Sequence, residues 1–395
     1  MPTEPGFPAS TLSRRHLLGG TVGLAAGAAL TRGLPGGVFV AGSERMRVGL
    51  VGCGGRGTGA AMQAVMADRA VRIVAIGDLF ADQVATAAAI LGRATDDGFA
   101  CPPDARFVGA EAWRQVIEAD VDMVILATPP DCRPLHLAAA VAAGKHVYCE
   151  TPAAIDMAGA ETMAAACATA RDRGLSLMSG LAWRRDRDTD RLVGRLHDGT
   201  IGRLLAARMT TRVGLPWHRS AEPGWSACES RRRNWIACPD QSGGDVVERQ
   251  VHAIDKALWV LGDEDPVAVE SLGSATPDGT PIRFLFADGR TLTIDGGRRA
   301  GQPDVASEII HGERGRCDLR QAGRDGPPVG RGLGAGRHQA AIGDLIEALR
   351  TGRRVDDGPI LVRATTASLL GRAAAAAATA LPWQSGPTFT PPRPV

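Results

Sequence analysis

The chain has 395 residues, a length that accommodates two or three domains of ordinary size. Hydrophobic residues make up 44% of it and charged residues 22%, a balance typical of globular rather than disordered proteins. Its 45 basic and 43 acidic residues leave a formal net charge of +2, which excludes a strong whole-chain attraction to nucleic acid or to an anionic membrane. Only Lys145 and Lys256 are lysines, so chemistry that needs an ammonium group has two candidates.

Residues 1–42 are predicted to be a twin-arginine export signal and a linker. Arg14 and Arg15 precede a weakly apolar, glycine- and alanine-rich stretch over 19–30. That stretch is shorter than the roughly 20 apolar residues of a membrane-spanning helix, and an arginine pair before it is the bacterial twin-arginine pattern. An unstructured basic tail is the alternative. The signal predicts export of the folded protein by the twin-arginine machinery to a periplasmic or other extracytoplasmic location.

Eight cysteines are scattered along the chain without a C-x-x-C pair. This spacing argues against a disulfide scaffold and against a cysteine zinc site. Cys228 and Cys238 could pair if the protein matures in an oxidising compartment.

Residues 43–165 are predicted to form an NAD-binding Rossmann domain. An apolar strand over 46–51 leads into a G-x-G-x-x-G loop, and a helical pattern and a second strand over 71–76 follow. The loop comprises Gly52, Cys53, Gly54, Gly55, Arg56 and Gly57. Its glycines allow a tight turn, close approach of the pyrophosphate, and packing of helix on strand. Asp78 lies about 20 residues beyond the loop, where an acid bonds the ribose hydroxyls and repels a 2′-phosphate. This favours NAD over NADP; a chance glycine loop is the alternative.

Strand and helix patterns continue to alternate beyond Asp78. Apolar strands are predicted over 122–128, 145–150 and 175–179, with a helix over 135–143. This alternation predicts a doubly wound parallel sheet, whose ligands bind at the carboxyl ends of the strands. Four residues fall at such ends and are expected at the cofactor: Thr128, Pro129, Glu150 and Thr151.

Residues 246–259 are predicted to form one amphipathic helix after a Gly-Gly turn. Glu248, His252 and Asp255 stand at i, i+4 and i+7, within about 60° of one another. Three ionisable groups beside an apolar stripe suggest a cleft, in which His252 takes a proton from a substrate hydroxyl while a carboxylate orients it. A solvated helix face, or a histidine satisfied by Glu248, is the alternative. The spacing E-x-x-x-H differs from the H-E-x-x-H zinc pattern and predicts no metal site.

The rest of the chain is dominated by short alternating runs. Strands are predicted over 204–213, 266–272, 282–286, 290–294, 306–311 and 316–319, about six in a largely antiparallel sheet. We expect a substrate-binding α/β domain with this sheet over 166–336. Two helices, over 339–350 and 362–380, would pack back on the core within 337–395. The predicted fold class is α/β plus α+β, an N-terminal Rossmann sheet with a C-terminal open, largely antiparallel sheet.

Several ordered motifs together resemble the Gfo/Idh/MocA oxidoreductases, and specifically members of that family exported by the twin-arginine route. They are V-G-C-G-G-R-G at 51–57, G-K-H-V-Y-C-E at 144–150, S-G-L-A-W-R at 179–184, R-N-W at 233–235 and S-G-G-D-V-V-E-R-Q-V-H-A-I-D at 242–255. The resemblance implies a Rossmann domain beside an open antiparallel sheet, with the active site between them. It also implies NAD-dependent oxidation or reduction of a sugar or polyol at a carbinol carbon.

The resemblance implies roles for individual residues as well. His252 would transfer the proton, Glu248 would hold a position often filled by aspartate, and Asp255 would support the site. Trp183 and Arg184 would line the cofactor or substrate cleft. The substrate side would include a short motif that is equally well explained as an ordinary loop: Arg233, Asn234 and Trp235.

The strand-end motif departs from the family pattern. The family has Glu-Lys-Pro, in which the lysine contacts the nicotinamide ribose and the reacting hydroxyl, whereas this chain has E-T-P at 150–152. Thr151 can donate one hydrogen bond but cannot offer an ammonium to a developing alkoxide. Lys145 precedes its strand, and Lys256 lies about 40° around the helix from His252, so neither occupies the place of that lysine.

Three functions follow from these features. The first is an NAD-dependent dehydrogenase of a sugar or polyol. The second is a glycosidase or lyase that recycles bound NAD through transient oxidation, and the third is an NAD- or sugar-binding protein that has lost its chemistry. Thr151 motivates the second and third. We expect a small carbohydrate ligand and no nucleic acid, and the open sheet is compatible with a homo-oligomer.

Overall fold

The computed structural model describes residues 45–273, 279, 281–301, 303–322 and 335–383. Residues 1–44, which contain the predicted export signal, lie outside these ranges, as do residues 323–334 and 384–395. Within them, no helix combines the length and the hydropathy that crossing a bilayer requires. Cys228 and Cys238 are separate free thiols.

The first sheet consists of six parallel strands in the order β3-β2-β1-β4-β5-β6. Its strands are β1 (Met46–Val51), β2 (Val71–Asp78), β3 (Arg106–Val108), β4 (Met123–Leu126), β5 (His146–Cys149) and β6 (Leu177–Ser179). The helices between them are α1 (Gly55–Ala67), α2 (Ala81–Ala94), α3 (Ala112–Glu118), α4 (Arg133–Ala142) and α5 (Met157–Asp172). The predicted doubly wound parallel sheet is confirmed.

Helices cover both faces of this sheet, which is why its central strands are continuously apolar. Every residue of β4 and β5 is buried. Met46, Val48 and Leu50 point into one core with α1 and α2, whereas Val51 points into the other with α3, α4 and α5. The sheet extends to Ser179, and α5 spans the boundary predicted at residue 165, so the Rossmann sheet reaches further along the chain than its predicted domain.

The second sheet has seven strands in the order β12-β11-β7-β10-β9-β8-β13. They are β7 (Leu204–Val213), β8 (Ala268–Ser271), β9 (Ile282–Leu285), β10 (Thr291–Arg298), β11 (Val305–Gly312), β12 (Gly315–Asp318) and β13 (Leu381–Pro382). Neighbours are antiparallel except β7 and β10, which pair in parallel. The predicted open, largely antiparallel sheet is confirmed, with β13 as one further edge strand.

The remaining helices connect the two sheets. They are α6 (Arg187–His197), α7 (Ala227–Arg233), α8 (Pro239–Ser242), α9 (Gly244–Glu248), α10 (Val251–Val260), α11 (Ala335–Thr351) and α12 (Gly358–Ala377). Ile342 and Leu345 of α11 pack into the Rossmann core. α12 is buried along most of its length, with Leu361 in the Rossmann core and Leu370 in the core of the second sheet. These helices hold the carboxyl edge of the first sheet against the second.

Candidate active site

The glycine-rich loop has the shape that a dinucleotide pyrophosphate needs. Gly52 has a φ of +95°, and a Cβ there would lie 2.8 Å from the backbone of Ala127. A Cβ on Gly57 would lie 1.9 Å from the carbonyl oxygen of Gly52, because α1 crosses β1 at this point. Gly54 and Gly55 instead face open space. No side chain caps α1, so its first N–H groups are available to phosphate oxygens.

Asp78 closes this loop at the end of β2. One carboxylate oxygen accepts a hydrogen bond from the backbone N–H of Cys53 at 2.7 Å, and the other accepts one from Phe80 at 3.0 Å. Burial raises the pKa of Asp78, and these backbone hydrogen bonds partly offset that rise. The carboxylate therefore sits at the edge where the adenosine ribose of a bound dinucleotide would lie, which fits NAD.

Arg133, which the sequence reasoning missed, ties the ends of β4 and β5 together. Its buried guanidinium donates to the carbonyl oxygens of Thr128 and Pro152. The Thr128 hydroxyl is 2.9 Å from Nδ1 of His136. Pro129 continues the same turn, and its carbonyl accepts from the backbone one turn later. The carboxyl ends of both strands are thus fixed at one edge, as expected.

Glu150 and Thr151 stand at the end of β5. Oε1 of Glu150 lies 3.1 Å from Nε of Arg56, which links the strand end to the glycine-rich loop. The Thr151 hydroxyl is buried and has no hydrogen-bond partner among the described residues. A buried hydroxyl without a partner is costly unless a ligand completes it. Together with the open loop glycines and Asp78, it makes this edge a fit for NAD.

The predicted helix over 246–259 is wrong, because it is broken into α9 and α10. Gly243 and Gly244 have φ values of +80° and +78° and start α9 afresh. Arg249 and Gln250 form a turn between the two helices. Gln250 is 1% exposed, and its side chain packs so closely on β10 that a Cβ on Gly296 would lie 1.9 Å from it. Its amide donates to Asp245 at 3.1 Å. The spacing of apolar residues along a helix cannot predict this contact between Gln250 and β10, because the two segments are far apart in sequence.

The break separates the three residues predicted to share one stripe. Glu248 accepts a hydrogen bond from Arg298 of β10 at 3.0 Å, and burial raises its pKa. Asp255 is 2% exposed, and its Oδ1 accepts hydrogen bonds from Nη2 and Nε of Arg184 at 2.8 and 2.9 Å. Of the three, His252 lines a cavity, whereas Glu248 and Asp255 do not line it. Both carboxylates are bound to arginines and not to the His252 imidazole.

The cavity beside His252 has a volume of about 570 Å³. It is bounded by Gly180 and Trp183 just after β6, by α10 and by the start of α11. A Cβ on Gly180 would lie 2.4 Å from a carboxylate oxygen of Glu150, so the cavity adjoins the strand end described above. Burial, and then the cations around it, lower the pKa of His252 to about 4. The imidazole is therefore neutral at pH 7 and able to accept a proton.

Trp183 and Arg184 are neighbours in sequence with different environments. Trp183 lines the cavity, with Nζ of Lys256 and the guanidinium carbon of Arg337 at 3.4 and 4.0 Å from its ring centroid. Arg184 points away and binds Asp263 as well as Asp255, a network inside the protein that raises its pKa beyond the ordinary arginine value. Arg184 also borders a separate groove of about 710 Å³, which contains no residue of the glycine-rich loop.

The R-N-W motif lies outside the cavity of His252. Arg233 binds Asp82, just beyond β2, through two hydrogen bonds of 2.9 Å and stacks 3.9 Å from the ring centroid of Phe80. Asn234 bonds the backbone of Arg219 at 2.7 and 3.0 Å, which is a structural role. Trp235 begins a short 3-10 helix. The motif therefore reaches the adenosine end of the cofactor edge. Arg233 places a positive charge there, although the residues that follow Asp78 in sequence, Leu79 and Phe80, carry none.

Most residues that line the cavity are not predicted from the sequence, and three of them bear on its chemistry. Lys256 follows His252 by one helical turn and lines the same cavity. Arg337 and His338 at the start of α11 line it as well, and the buried Nδ1 of His338 has no hydrogen-bond partner among the described residues. Burial and the neighbouring Arg56 lower the pKa of His338 to about 3. The sequence predicts the helix over 339–350 and its packing on the core, but no local pattern shows that its first turn reaches the cavity of His252.

Known proteins resemble this chain in both sequence and fold. Residues 46–178 match the GFO_IDH_MocA model, an oxidoreductase family with an NAD-binding Rossmann fold. A 1,5-anhydro-D-fructose reductase of Ensifer adhaerens is 32% identical over 158 residues, 40% of this chain and 43% of that protein. An inositol 2-dehydrogenase of Rhizobium meliloti is 28% identical over 281 residues, 68% of this chain and 74% of that protein.

A solved structure extends the likeness to the second sheet. Levoglucosan dehydrogenase in complex with NADH and levoglucosan superposes with a TM-score of 0.66 at 20% identity. The superposition covers 86% of this chain and 99% of that one. The predicted combination of a Rossmann sheet with an antiparallel sheet is therefore confirmed. The match of residues 46–178 to an NAD-binding Rossmann family confirms the prediction of NAD as the cofactor.

Proposed function

We propose that this chain is an oxidoreductase of the Gfo/Idh/MocA type, an NAD-dependent dehydrogenase that acts on a carbinol of a sugar or polyol. One observation carries the proposal. His252 opens on a cavity whose wall at Gly180 touches Glu150, at the carboxyl edge of the NAD-binding sheet. A substrate hydroxyl in that cavity would meet the imidazole on one side and the cofactor edge on the other.

The residues around the cavity divide the chemistry between them. Bound NAD would supply the hydride acceptor. The glycine-rich loop and Asp78 would hold the dinucleotide, and an imidazole nitrogen of His252 would take the hydroxyl proton. Arg249, Lys256 and Arg337 make the His252 imidazole a weaker base, but the same positive charges would stabilise a developing alkoxide. In this scheme the three cations stabilise the alkoxide in place of the family's lysine, because Thr151 carries no charge. The Thr151 hydroxyl donates one hydrogen bond.

The test is NADH formation by purified protein supplied with NAD and a panel of sugars and polyols. We expect turnover with at least one member of the panel and its loss in His252→Ala. His311→Ala, which changes an exposed histidine of β11, is the matched control and should keep wild-type activity. Absence of turnover across the panel in protein that binds NAD would refute the proposal.

The buried Thr151 hydroxyl, which has no hydrogen-bond partner among the described residues, supports a second reaction class, glycoside cleavage with recycling of NAD. A glycosidase or lyase that oxidises its substrate transiently returns the hydride to the product, so NAD is recycled in place. Glycoside cleavage without net NADH, with solvent deuterium entering the product, would distinguish it from the dehydrogenase. A site that only binds NAD and sugar would show neither signal, and recovery of dehydrogenase activity in Thr151→Lys would identify it as a decayed enzyme.

Export and assembly complete the proposal. Arg14 and Arg15 before the short apolar stretch support export by the twin-arginine route with NAD already bound. Arg14→Lys together with Arg15→Lys should retain the protein in the cytoplasm, as measured by fractionation. The open second sheet supports a homo-oligomer, and light scattering of the purified protein would give its mass.

A further inference from the structure

The carboxylates on the wall of the His252 cavity are already engaged. Asp186 caps α6 by accepting a backbone hydrogen bond of 2.9 Å. Asp188 binds Arg191 at 2.7 Å, and Glu308 binds Lys256 at 2.6 Å. Asp188 and Glu308 are therefore paired with cations, whereas Asp186 is held by a backbone N–H. Burial lowers the pKa of Arg337, and Asp186 and Glu308 partly offset that fall.

One arginine of the same wall, Arg337, lacks an ion-pair partner within the described ranges. Among the described residues, no carboxylate lies within 4.0 Å of the Arg337 guanidinium, which contacts the ring of Trp183. Arg249 pairs loosely with Asp245 at 3.9 Å, and its buried Nε has no hydrogen-bond partner in the described part of the chain. Arg320, the remaining arginine of this wall, donates to a backbone carbonyl of β11.

The field at His252 is consequently positive. Every charged neighbour that shifts its pKa is a cation: Arg337, Arg249 and Lys256. An anion entering the cavity would gain most from Arg337, because Lys256 is paired with Glu308 and Arg249 with Asp245. It would meet that charge in a partly enclosed space where screening by water is weak.

The side chain of Arg337 is also fixed in orientation before any ligand binds. Its guanidinium stacks on Trp183, whose ring also carries Nζ of Lys256. Cation–π stacking fixes the plane of a guanidinium and leaves its N–H fork free for a planar carboxylate. Lys256 and Arg337 both contact the ring of Trp183, but Lys256 forms an ion pair with Glu308. Arg337 is therefore the one of these two cations that is left to bind an anionic ligand.

We propose that the substrate is a sugar acid, whose carboxylate binds the Arg337 fork while its reacting carbinol faces His252. Arg249 adds positive charge on the α10 side of the cavity. The inference rests on the proposed function, since it specifies the substrate class of the same site. A phosphate could use the same fork, so the test includes one.

The experiment compares pairs of sugars that differ at C6. Binding of glucuronate, galacturonate, glucose, galactose and glucose 6-phosphate to the NAD-loaded protein is measured by calorimetry, and NADH formation is followed in parallel. The variants are Arg337→Gln and Arg337→Lys, with Arg203→Gln as control, because Arg203 is exposed and pairs with Glu313 on the surface. Binding is measured at two salt concentrations.

We expect a uronate to bind at least tenfold more tightly than its neutral sugar, with a preference that falls as salt is raised. Arg337→Gln should reduce the ratio of the two affinities at least tenfold, Arg337→Lys should reduce it less, and Arg203→Gln should leave it unchanged. The inference is overturned if no uronate binds, if the ratio is the same in Arg337→Gln, or if glucose 6-phosphate binds better than the uronates. Uronate binding without NADH formation would sustain the sugar-acid site while counting against the dehydrogenase.

Discussion

Two glycines of α1 offer a direct test of how the dinucleotide loop works. Gly57 and Gly59 lie in the same turn of the helix. A Cβ on Gly57 would lie 1.9 Å from the carbonyl oxygen of Gly52, whereas a Cβ on Gly59 would have no neighbour within 4 Å. Real Cβ contacts are about 3 Å or longer, so Gly57→Ala must move the loop or the helix by about 1 Å.

The displacement falls on the groups that would hold the pyrophosphate. A misplacement of about 1 Å can cost about 10²-fold in function, so we expect NAD affinity to fall by about that factor in Gly57→Ala. Overpacking should also reduce the free energy of unfolding by about 1–3 kcal/mol. Gly59→Ala should leave NAD affinity unchanged and stabilise the helix by up to about 1 kcal/mol.

The assay is titration of NAD into each purified variant by calorimetry, followed by urea unfolding monitored by circular dichroism. Wild-type NAD affinity in Gly57→Ala would refute the reasoning, because it would mean that the loop absorbs the added methyl group. An equal loss of affinity in Gly59→Ala would also refute it, since the effect would then belong to the helix and not to the contact with Gly52.

Three further predictions concern residues that the fold places. Arg184→Ala should lower the free energy of unfolding by about 3–5 kcal/mol, because it leaves the buried Asp255 charge without its partner; a urea-unfolding loss below about 1 kcal/mol would contradict this. The acid limb of kcat/KM should lie near pH 4 rather than 6.5, because His252 stays neutral down to its lowered pKa. The His252 imidazole binds its proton at higher pH in the unfolded chain than in the folded protein. The free energy of unfolding should therefore fall as the pH drops from about 6.5 towards 4. An acid limb of kcat/KM at pH 6.5 would contradict the lowered pKa of His252. Arg233→Ala should raise the Kd for NAD severalfold, since its pairing with Asp82 fastens α7 beside the adenosine end; an unchanged Kd by calorimetry would show that the clamp does not hold the cofactor.

The nucleotide-binding half of the protein could be predicted from local sequence. Each strand of the first sheet is a short apolar run, and the glycine-rich loop and Asp78 stand at fixed distances within one continuous segment. The constraint is local, because a tight turn, a helix start and an acid must follow one another along the chain to surround a pyrophosphate. The spacing of residues alone therefore determined the fold of this segment.

The catalytic side was decided by contacts between distant segments. Helical spacing placed Glu248, His252 and Asp255 on one stripe, but Gln250 packs against β10 and divides the helix, so each acid binds a different arginine. The sequence likewise predicts Arg184 and Arg233 in the cleft of His252, but ion pairs with distant aspartates hold Arg184 inside the protein and Arg233 beside the adenosine end. Buried charges must find partners wherever the fold provides them.

The chain by itself therefore determined a Rossmann sheet, an antiparallel sheet and one reactive histidine. Only the tertiary structure decided what surrounds His252, because Lys256 gains its partner from β11 and Arg337 arrives on a helix that returns from the far end of the chain. The electrostatic potential in the cavity depends on charges from segments that are far apart in sequence. It therefore cannot be predicted from any local sequence pattern.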